Sequence, residues 1–418
     1  MPKSFNRLID KYINALFKNR EVPEETRQEL WNVYNKKLSD AVDQGYSPKI
    51  DFYDKDLAKS LKENIAAFSA FKEESFKNVL GSLLVDEKGG LRSWNDFKKE
   101  AAKVNSAYNE RYLKTEYHQT IAAANAAQKW NDIERTKHLY PNLRYLTVGD
   151  NRVRDKHRAW HGKVLPIDHP FWVKNFPPND WGCRCDAERT DDEPTIEKEL
   201  PRTFDNDKFK NNPGLTGKIF PETVYAAGIT GDDFKRIYDW GINQFEKLQN
   251  YSRNYKAYQR LKKDKDYFDV VFDKSTGGMK ATHKLHNFNP KKGHYEKEAM
   301  EILFKNGGSV IFESEIAELG VSTPDGFLNN LVFDIKSIEG QNGILGKNNL
   351  KNKLIEGNSQ GCKNVTLYFT NNSLFENDDQ IRNAINRYLF NCKDKSIEPL
   401  IDDVWVIVNY KIKKFKVK

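Results

Sequence analysis

The first 140 residues repeat apolar positions at spacings of three and four. The runs LWNVYNKKLSDAV, DLAKSLKENIAAFSAFKEESFKNVLGSLL and SWNDFKKEAAKVNSAYNERYLKTEYHQTIAAANAAQKWNDIE each place an apolar stripe along one side of a helix. Pro23 and Glu24 precede one run and Gly89-Gly90 follows another, which is helix start and stop chemistry. Residues 1–140 are therefore expected to be long amphipathic helices, better suited to packing against neighbouring subunits than to enclosing a pocket.

The pattern then changes. Residues 141–190, PNLRYLTVGDNRVRDKHRAWHGKVLPIDHPFWVKNFPPNDWGCRCDAERT, are dense in Pro, Gly, Trp, His and Cys, and read as a compact, loop-rich module. Residues 191–279 turn polar and read as a linker and a connecting helix. From YFDVVFD onward, short strand-like runs alternate with helical ones. HYEKEAMEILFKNG is helical, SVIFESE a strand, FLNNLVFDIKSI a hairpin, NNLKNKLIEGNSQG a helix, NVTLYFT a strand, DQIRNAINRYLF a helix and DVWVIVNY a strand. The expected fold is multidomain α+β: a mainly helical N-terminal part, a His/Cys module, and a C-terminal α/β domain over 280–418.

Composition narrows the classes. The chain has 418 residues, 31% charged and 38% hydrophobic, and no stretch approaches the length of a membrane span. Its first twenty residues break their apolar positions with charges, unlike a secretory signal. Four cysteines, at 183, 185, 362 and 392, are too few and scattered for a disulfide framework. The net charge of +8 permits an anionic partner without requiring one.

Two clusters carry candidate chemistry. In DNRVRDKHRAWHG, His157 and His161 lie four apart and share a face if the segment is helical. Cys183 and Cys185 would complete a tetrahedral Zn²⁺ site with them, although Cys-x-Cys is less usual for structural zinc than Cys-x-x-Cys. The same residues also fit a plain core in which the cysteines act as small apolar groups beside Trp160, Trp172 and Trp181. A nucleophilic Cys–His pair is a third reading, with nothing nearby to orient it.

The second cluster is STPDGFLNNLVFDIKSIEG, where Pro324-Asp325 is followed after eight residues by Asp334-Ile335-Lys336. This fits the PD-(D/E)xK pattern of restriction-endonuclease-like nucleases. On a strand, Asp334 and Lys336 point to one face, and Asp325 enters the preceding strand beside them. The two carboxylates and the Ile335 carbonyl are hard oxygen ligands suited to Mg²⁺ or Mn²⁺. A bound metal would acidify a water and stabilise charge on the scissile phosphate, while Lys336 positions that water. The upstream helix directs Tyr295, Ala299, Ile302 and Leu303 to the sheet, with Glu296 and Glu298 at the stripe's borders. Glu296 is favoured as a further acid and Glu298 is the reserve. Gln360 ends the next helix, where it contacts the site or caps the helix. Asp-x-Lys also arises by chance on polar strand faces; the helix, Pro-Asp, helix and strand around it raise its weight.

The order YNERYLKTEYHQTIAAANAAQKW, LRYLTVGDNRVRDKHRAWHGKVLPID, FWVKNFPPNDWGCRC closely resembles phage minor head proteins of the Mu F and SPP1 gp7 family. The resemblance covers about residues 25–225 and is sharpest at Asp155, His157, His161, Gly162, Pro177-Pro178, Trp181-Gly182 and Cys183-Arg184-Cys185. It implies a minor capsid protein inside the head near the portal, with the portal and other capsid proteins as partners, found in the virion or the bacterial cytoplasm. Residues 290–410 resemble, more loosely, the toxin domains of contact-dependent inhibition proteins, several of which cleave tRNA. That implies a nuclease delivered to a recipient cell, a tRNA substrate and a cognate immunity protein.

Residues 280–418 carry a net charge of only +3, and −2 without the five lysines of KIKKFKVK, so no broad cationic face is expected. The tail either attracts phosphates or is a solvated, disordered end. Two other functions fit the sequence: a purely structural capsid protein with an inactive C-terminal domain, or a metal-independent ribonuclease of the barnase or colicin type using His283, His286 or His294.

Overall fold

The computed structural model describes residues 3–196, 209–221, 224–288, 293–315, 323–340 and 344–417. The chain divides into two compact units, Met1–Phe245 and Glu246–Lys418. No described helix is long and apolar enough to cross a membrane.

The first unit opens with α1 (Lys3–Asn19), α2 (Glu24–Gly45), α3 (Lys55–Ser82) and α4 (Trp94–Asn105), then a π-helical segment, Ser106–Tyr112, leading into α5 (Leu113–Thr136). Asp54 and Ser93 cap α3 and α4 through their side-chain oxygens. The apolar stripes meet in one core of Tyr12, Leu30, Tyr34, Leu38, Leu61, Phe68, Phe76 and Leu113. At Gly45 a Cβ would run into the Ile121 carbonyl oxygen, so α2 and α5 approach closely because this position is glycine.

The module that follows contains β1 (Asn142–Leu146), α6 (Asp155–Arg158), β2 (Val164–Pro166), α7 (Phe171–Asn175) and β3 (Asp186–Thr190). Its antiparallel sheet runs β2-β1-β3. Trp130 of α5 packs here with Leu143, Tyr145, Trp160, Leu165 and Trp172, so the module shares a core with the helices. Trp181 packs against the helical core instead.

Part of the segment expected to be a linker is built into the fold. Phe209, Ile219 and Phe220 are buried in the helical core around α8 (Pro213–Thr216), and Asn64 Oδ1 accepts from the amides of Ile219 and Phe220 at 2.9 and 2.8 Å. Its polar composition hid three aromatic and aliphatic anchors. Residues 197–208 of that segment lie outside the described residues. The boundary between the units falls within α9 (Gly231–Leu261).

The second unit continues through β4 (Tyr267–Phe272), β5 (Met279–His283), α10 (Gly293–Lys305), β6 (Ser309–Phe312), β7 (Gly326–Leu328), β8 (Leu331–Ile338), α11 (Asn349–Ser359), β9 (Asn364–Phe369), α12 (Asp378–Asp394), β10 (Asp403–Val408) and β11 (Lys411–Lys416). One eight-stranded mixed sheet runs β11-β10-β9-β8-β7-β6-β5-β4. β6, β7 and β8 form an antiparallel meander, and β8, β9 and β10 are parallel. The expected hairpin turns at Asn329 and Asn330, both with positive φ, a conformation asparagine tolerates. Ala299, Ile302 and Leu303 of α10 cover Phe312, Phe333, Ile335 and Tyr368. Leu350, Leu354, Ile381 and Tyr388 of α11 and α12 pack with Val365, Leu367, Val404 and Val406. β9 is buried at every position, which is why NVTLYF reads as an apolar run rather than an alternation.

The lysine-rich end is not a disordered tail. Residues 411–416 pair along the whole of β10, with Phe415 buried, and Lys414 and Lys416 reach Asp403 at 3.1 and 2.9 Å. Four lysines in six residues suit a strand that ends the sheet, because charge there discourages pairing with other chains.

Candidate active site

The antiparallel register that pairs Gly326 with Phe333 brings Asp325 opposite Asp334. Gly326 has φ of +150°, and a Cβ there would collide with the Ile311 carbonyl oxygen, so glycine lets the chain carry Asp325 into the sheet. Asp325 Oδ2 accepts from the Ile335 amide at 2.6 Å. The Ile335 side chain lies in the core beneath α10, so this residue offers the site its backbone only.

Asp334 and Lys336 lie two apart on β8 and meet through an ion pair, Lys336 Nζ to Asp334 Oδ2 at 2.9 Å. Lys336 Nζ also donates to Gln360 Oε1 at 2.8 Å, and Gln360 Nε2 donates to the Thr323 carbonyl at 3.2 Å. Gln360 occupies the C-cap position of α11, and its side chain links Lys336 to the segment leading into Asp325. Both aspartates are buried. Burial, then the charge of Asp334, pushes the Asp325 carboxyl well above its ordinary range. Burial raises Asp334 too, opposed by Lys336.

The two helix glutamates go to different places. Glu296 acts electrostatically on Asp325, and its Oε2 is buried with no hydrogen-bond partner. Glu298 is exposed and accepts from Tyr368 Oη at 2.5 Å, so the structure gives it a partner outside the aspartate pair. Two further residues join the cluster. Glu315 Oε1 lies 3.3 Å from His286 Nδ1, and Glu296 Oε2 lies 3.8 Å from His286 Nε2. Burial first, then Glu296 and Asp334 among the neighbouring charges, lifts the Glu315 carboxyl. Glu315 ends the run SVIFESE, and the only sequence signal for it was an acid following an apolar strand.

The His286 side chain is fully buried and stacked on Phe312, with ring centroids 4.5 Å apart. His294 is exposed against Tyr295, and His283 packs on Tyr267. These placements do not assemble an exposed acid–base pair of histidines.

The second cluster lies in the first unit. α6 ends at Arg158, so the segment does not continue as the helix that would align His157 with His161. His161 is exposed and accepts from the Thr147 amide at 3.0 Å, whereas His157 is buried with its Nδ1 3.8 Å from Cys183 Sγ and 3.6 Å from Cys185 Sγ. The expected four-residue set is therefore a group of three, whose ligand atoms lie within 4.8 Å of one another. Hydrogen bonding from Cys185 and His157 holds the Cys183 thiol far below its ordinary pKa, and Cys185 is raised in turn because its neighbour takes the charge.

Comparison with known proteins locates a likeness in this part of the chain. Residues 88–188 match the family model of Phage Mu protein F like protein. The Mu-like prophage FluMu F protein of Haemophilus influenzae is 43% identical over 74 residues, 18% of this chain and 16% of that protein. Protein F of Escherichia phage Mu, which carries capsid assembly in its name, is 37% identical over 75 residues, 18% of this chain and 17% of its own. An uncharacterized protein of Methanocaldococcus jannaschii is 29% identical over 119 residues, 28% of this chain and 17% of that one. The chain thus spans about a sixth of the length of these relatives. No solved structure matches it. The chain therefore carries a Phage Mu protein F-like region at residues 88–188, and its likeness to phage head-morphogenesis proteins rests on that region.

Proposed function

We propose that this chain is a phage head-assembly protein whose C-terminal unit is a metal-dependent nuclease of the restriction-endonuclease-like type. The assembly half rests on the Mu F-like region, and its partners are other capsid proteins, the portal among them. The nuclease half rests on one observation: the buried meeting of Asp325, Asp334 and Lys336, tied by Gln360. The succession α10-β6-β7-β8-α11-β9, a helix, an antiparallel meander, a helix and a parallel strand, supports the same reading.

The residues suit a hard divalent cation, Mg²⁺ or Mn²⁺. Asp325, Asp334 and Glu296 crowd negative charge into a buried place where Lys336 is bonded to Asp334, and Glu296 Oε2 is buried there with no hydrogen-bond partner. Asp325, Asp334, Glu296 and the Ile335 peptide oxygen would hold the ion, which when bound would supply charge to a scissile phosphate and acidify a water. Lys336, anchored by Asp334 and Gln360, would hold the attacking water and counter the added charge. Asp325, bonded to the Ile335 amide, keeps β7 and β8 in register at the site.

A surface for the substrate comes from outside residues 280–418. Residues 246–279, which the structure joins to this unit, carry eight basic against five acidic residues. Arg253, Lys256 and Arg260 line one side of a cavity of 750 Å³ with Tyr267, Glu313 and Asn330. Nucleic acid is the substrate class, with tRNA favoured by the resemblance to contact-dependent toxins, and a cognate immunity protein is the expected partner.

The test is cleavage of tRNA, other RNA and DNA by the full chain, with Mg²⁺ or with EDTA, beside Asp334→Ala and Lys336→Ala. Metal-dependent cutting lost in both variants is the expected result. No cutting under any condition leaves the structural capsid reading, and EDTA-resistant cutting selects a metal-independent ribonuclease.

A further inference from the structure

We propose that His157, Cys183 and Cys185 form a three-ligand site for a soft divalent cation, Zn²⁺ by its chemistry, separate from the carboxylate centre. The local sequence builds it in three steps. Trp160 lies nearly parallel to the His157 ring at 5.6 Å and fixes it in the core, with His157 only 1% exposed. Gly182, at positive φ, lets the chain turn so that the Cys183 amide donates to the Asp180 carbonyl at 3.0 Å. Between there and β3, Cys183 and Cys185 both approach His157, while Arg184 between them turns to Asp150. Arg184 is held by a two-pronged ion pair to Asp150 at 2.7 and 2.8 Å.

The distances also fit an ion shared by the three groups. One imidazole nitrogen has a single proton or a single lone pair, yet two sulfurs stand 3.6 and 3.8 Å from His157 Nδ1. With Zn–S at about 2.3 Å and Zn–N at about 2.05 Å, a tetrahedral site has N···S edges of about 3.6 Å. An ion at the centre of the three would engage all of them together, whereas Nδ1 has one proton or one lone pair to divide between the two sulfurs. Soft thiolates with imidazole select Zn²⁺ over the hard cations suited to the C-terminal carboxylates.

Both cysteines also line a cavity of 430 Å³ with His118, Asn125 and Lys129, from which solvent would complete the coordination. The ion would clip the loop carrying His157 to the segment entering β3. That role suits a module whose strands are at most five residues long.

The full-length chain, purified without chelator, should retain one zinc per chain by elemental analysis, and equally so as Asp334→Ala. Replacement by Co²⁺ should give a thiolate-to-cobalt charge-transfer band and the intense visible bands of tetrahedral cobalt. Cys183→Ser, Cys185→Ser and His157→Ala should each weaken zinc retention by at least ~10-fold, while His161→Ala leaves it unchanged. Absence of both zinc and a charge-transfer band in the unsubstituted protein overturns the proposal without relying on any variant. So does a loss in His161→Ala equal to that in His157→Ala.

Discussion

Each unit buries a polar cluster, and the two differ in how their charges balance. In the helical unit Lys72 and Glu116 are both buried and paired at 2.9 Å, Tyr225 joins the same carboxylate, and the rings of Tyr34, Tyr108 and Tyr225 surround the ammonium. Nearby, Arg27 pairs with Glu73 and Glu74, and Tyr12 donates to Glu73 at 2.5 Å. Lys77 also reaches Glu74 at 2.7 Å, so three cations meet three carboxylates within the cluster. In the C-terminal unit Asp325, Asp334, Glu296 and Glu315 gather around Lys336 and His286, and negative charge exceeds what they neutralise. Burial of polar groups alone therefore does not mark a site. The informative feature is an imbalance that the fold maintains at a cost, leaving a role for a cation.

This contrast makes predictions of opposite sign. Lys72→Met should destabilise the helical unit by about 3–5 kcal/mol, because Glu116 is left charged and buried, and the double variant Lys72→Met/Glu116→Leu should recover most of the loss. Urea unfolding of the two variants measures this, and equal losses in both would break the distinction. In the C-terminal unit, Asp334→Ala and Lys336→Ala should each lower phosphodiester cleavage by roughly 10²–10³-fold, read in single-turnover assays with Mg²⁺.

Asp325→Asn should instead stabilise the C-terminal unit by about 1 kcal/mol near neutral pH while abolishing cleavage, since it removes a charge held above its ordinary pKa. The sign follows from linkage. A carboxyl whose folded pKa is raised contributes stability that is full below its unfolded value, about 3.9, and is lost as pH rises through the folded value. The advantage of the variant should therefore vanish in acid, where Asp325 is protonated in both states, and grow as pH rises above the ordinary carboxylate range. Melting temperatures of wild type and variant across pH, without divalent cation, test it; a gap that widens toward acid would contradict the assignment. The smallest effect concerns the helix acids: Glu296→Gln should reduce cleavage by about 10-fold, and Glu298→Gln should leave it within error, by initial rates.

Much of this was legible along the chain because the relevant spacings are local. The helices of the first unit, the stripe of Ala299, Ile302 and Leu303, the Asn329-Asn330 hairpin and the shared face of Asp334 and Lys336 all follow from periods of 3.6 and 2. Glu315 and His286 escaped as site neighbours because their contact joins separate segments, at positions 286 and 315 along the chain. Arg253, Lys256 and Arg260 escaped because the boundary drawn at 280 left them with the connecting helix, although the structure places them in the second unit.

The sequence by itself determined the order of elements, the alternation that puts Asp334 beside Lys336, and the Mu F-like run through His157 and Cys183-Arg184-Cys185. Tertiary structure decided which partners meet: His157 rather than His161 with the cysteines, Glu296 rather than Glu298 with the aspartates, and the lysine-rich end as a paired strand. The physical reason is the range of each cause. Backbone periodicity acts within a few residues and is written in the order of side chains, whereas desolvation and long-range pairing depend on what the rest of the chain removes from water.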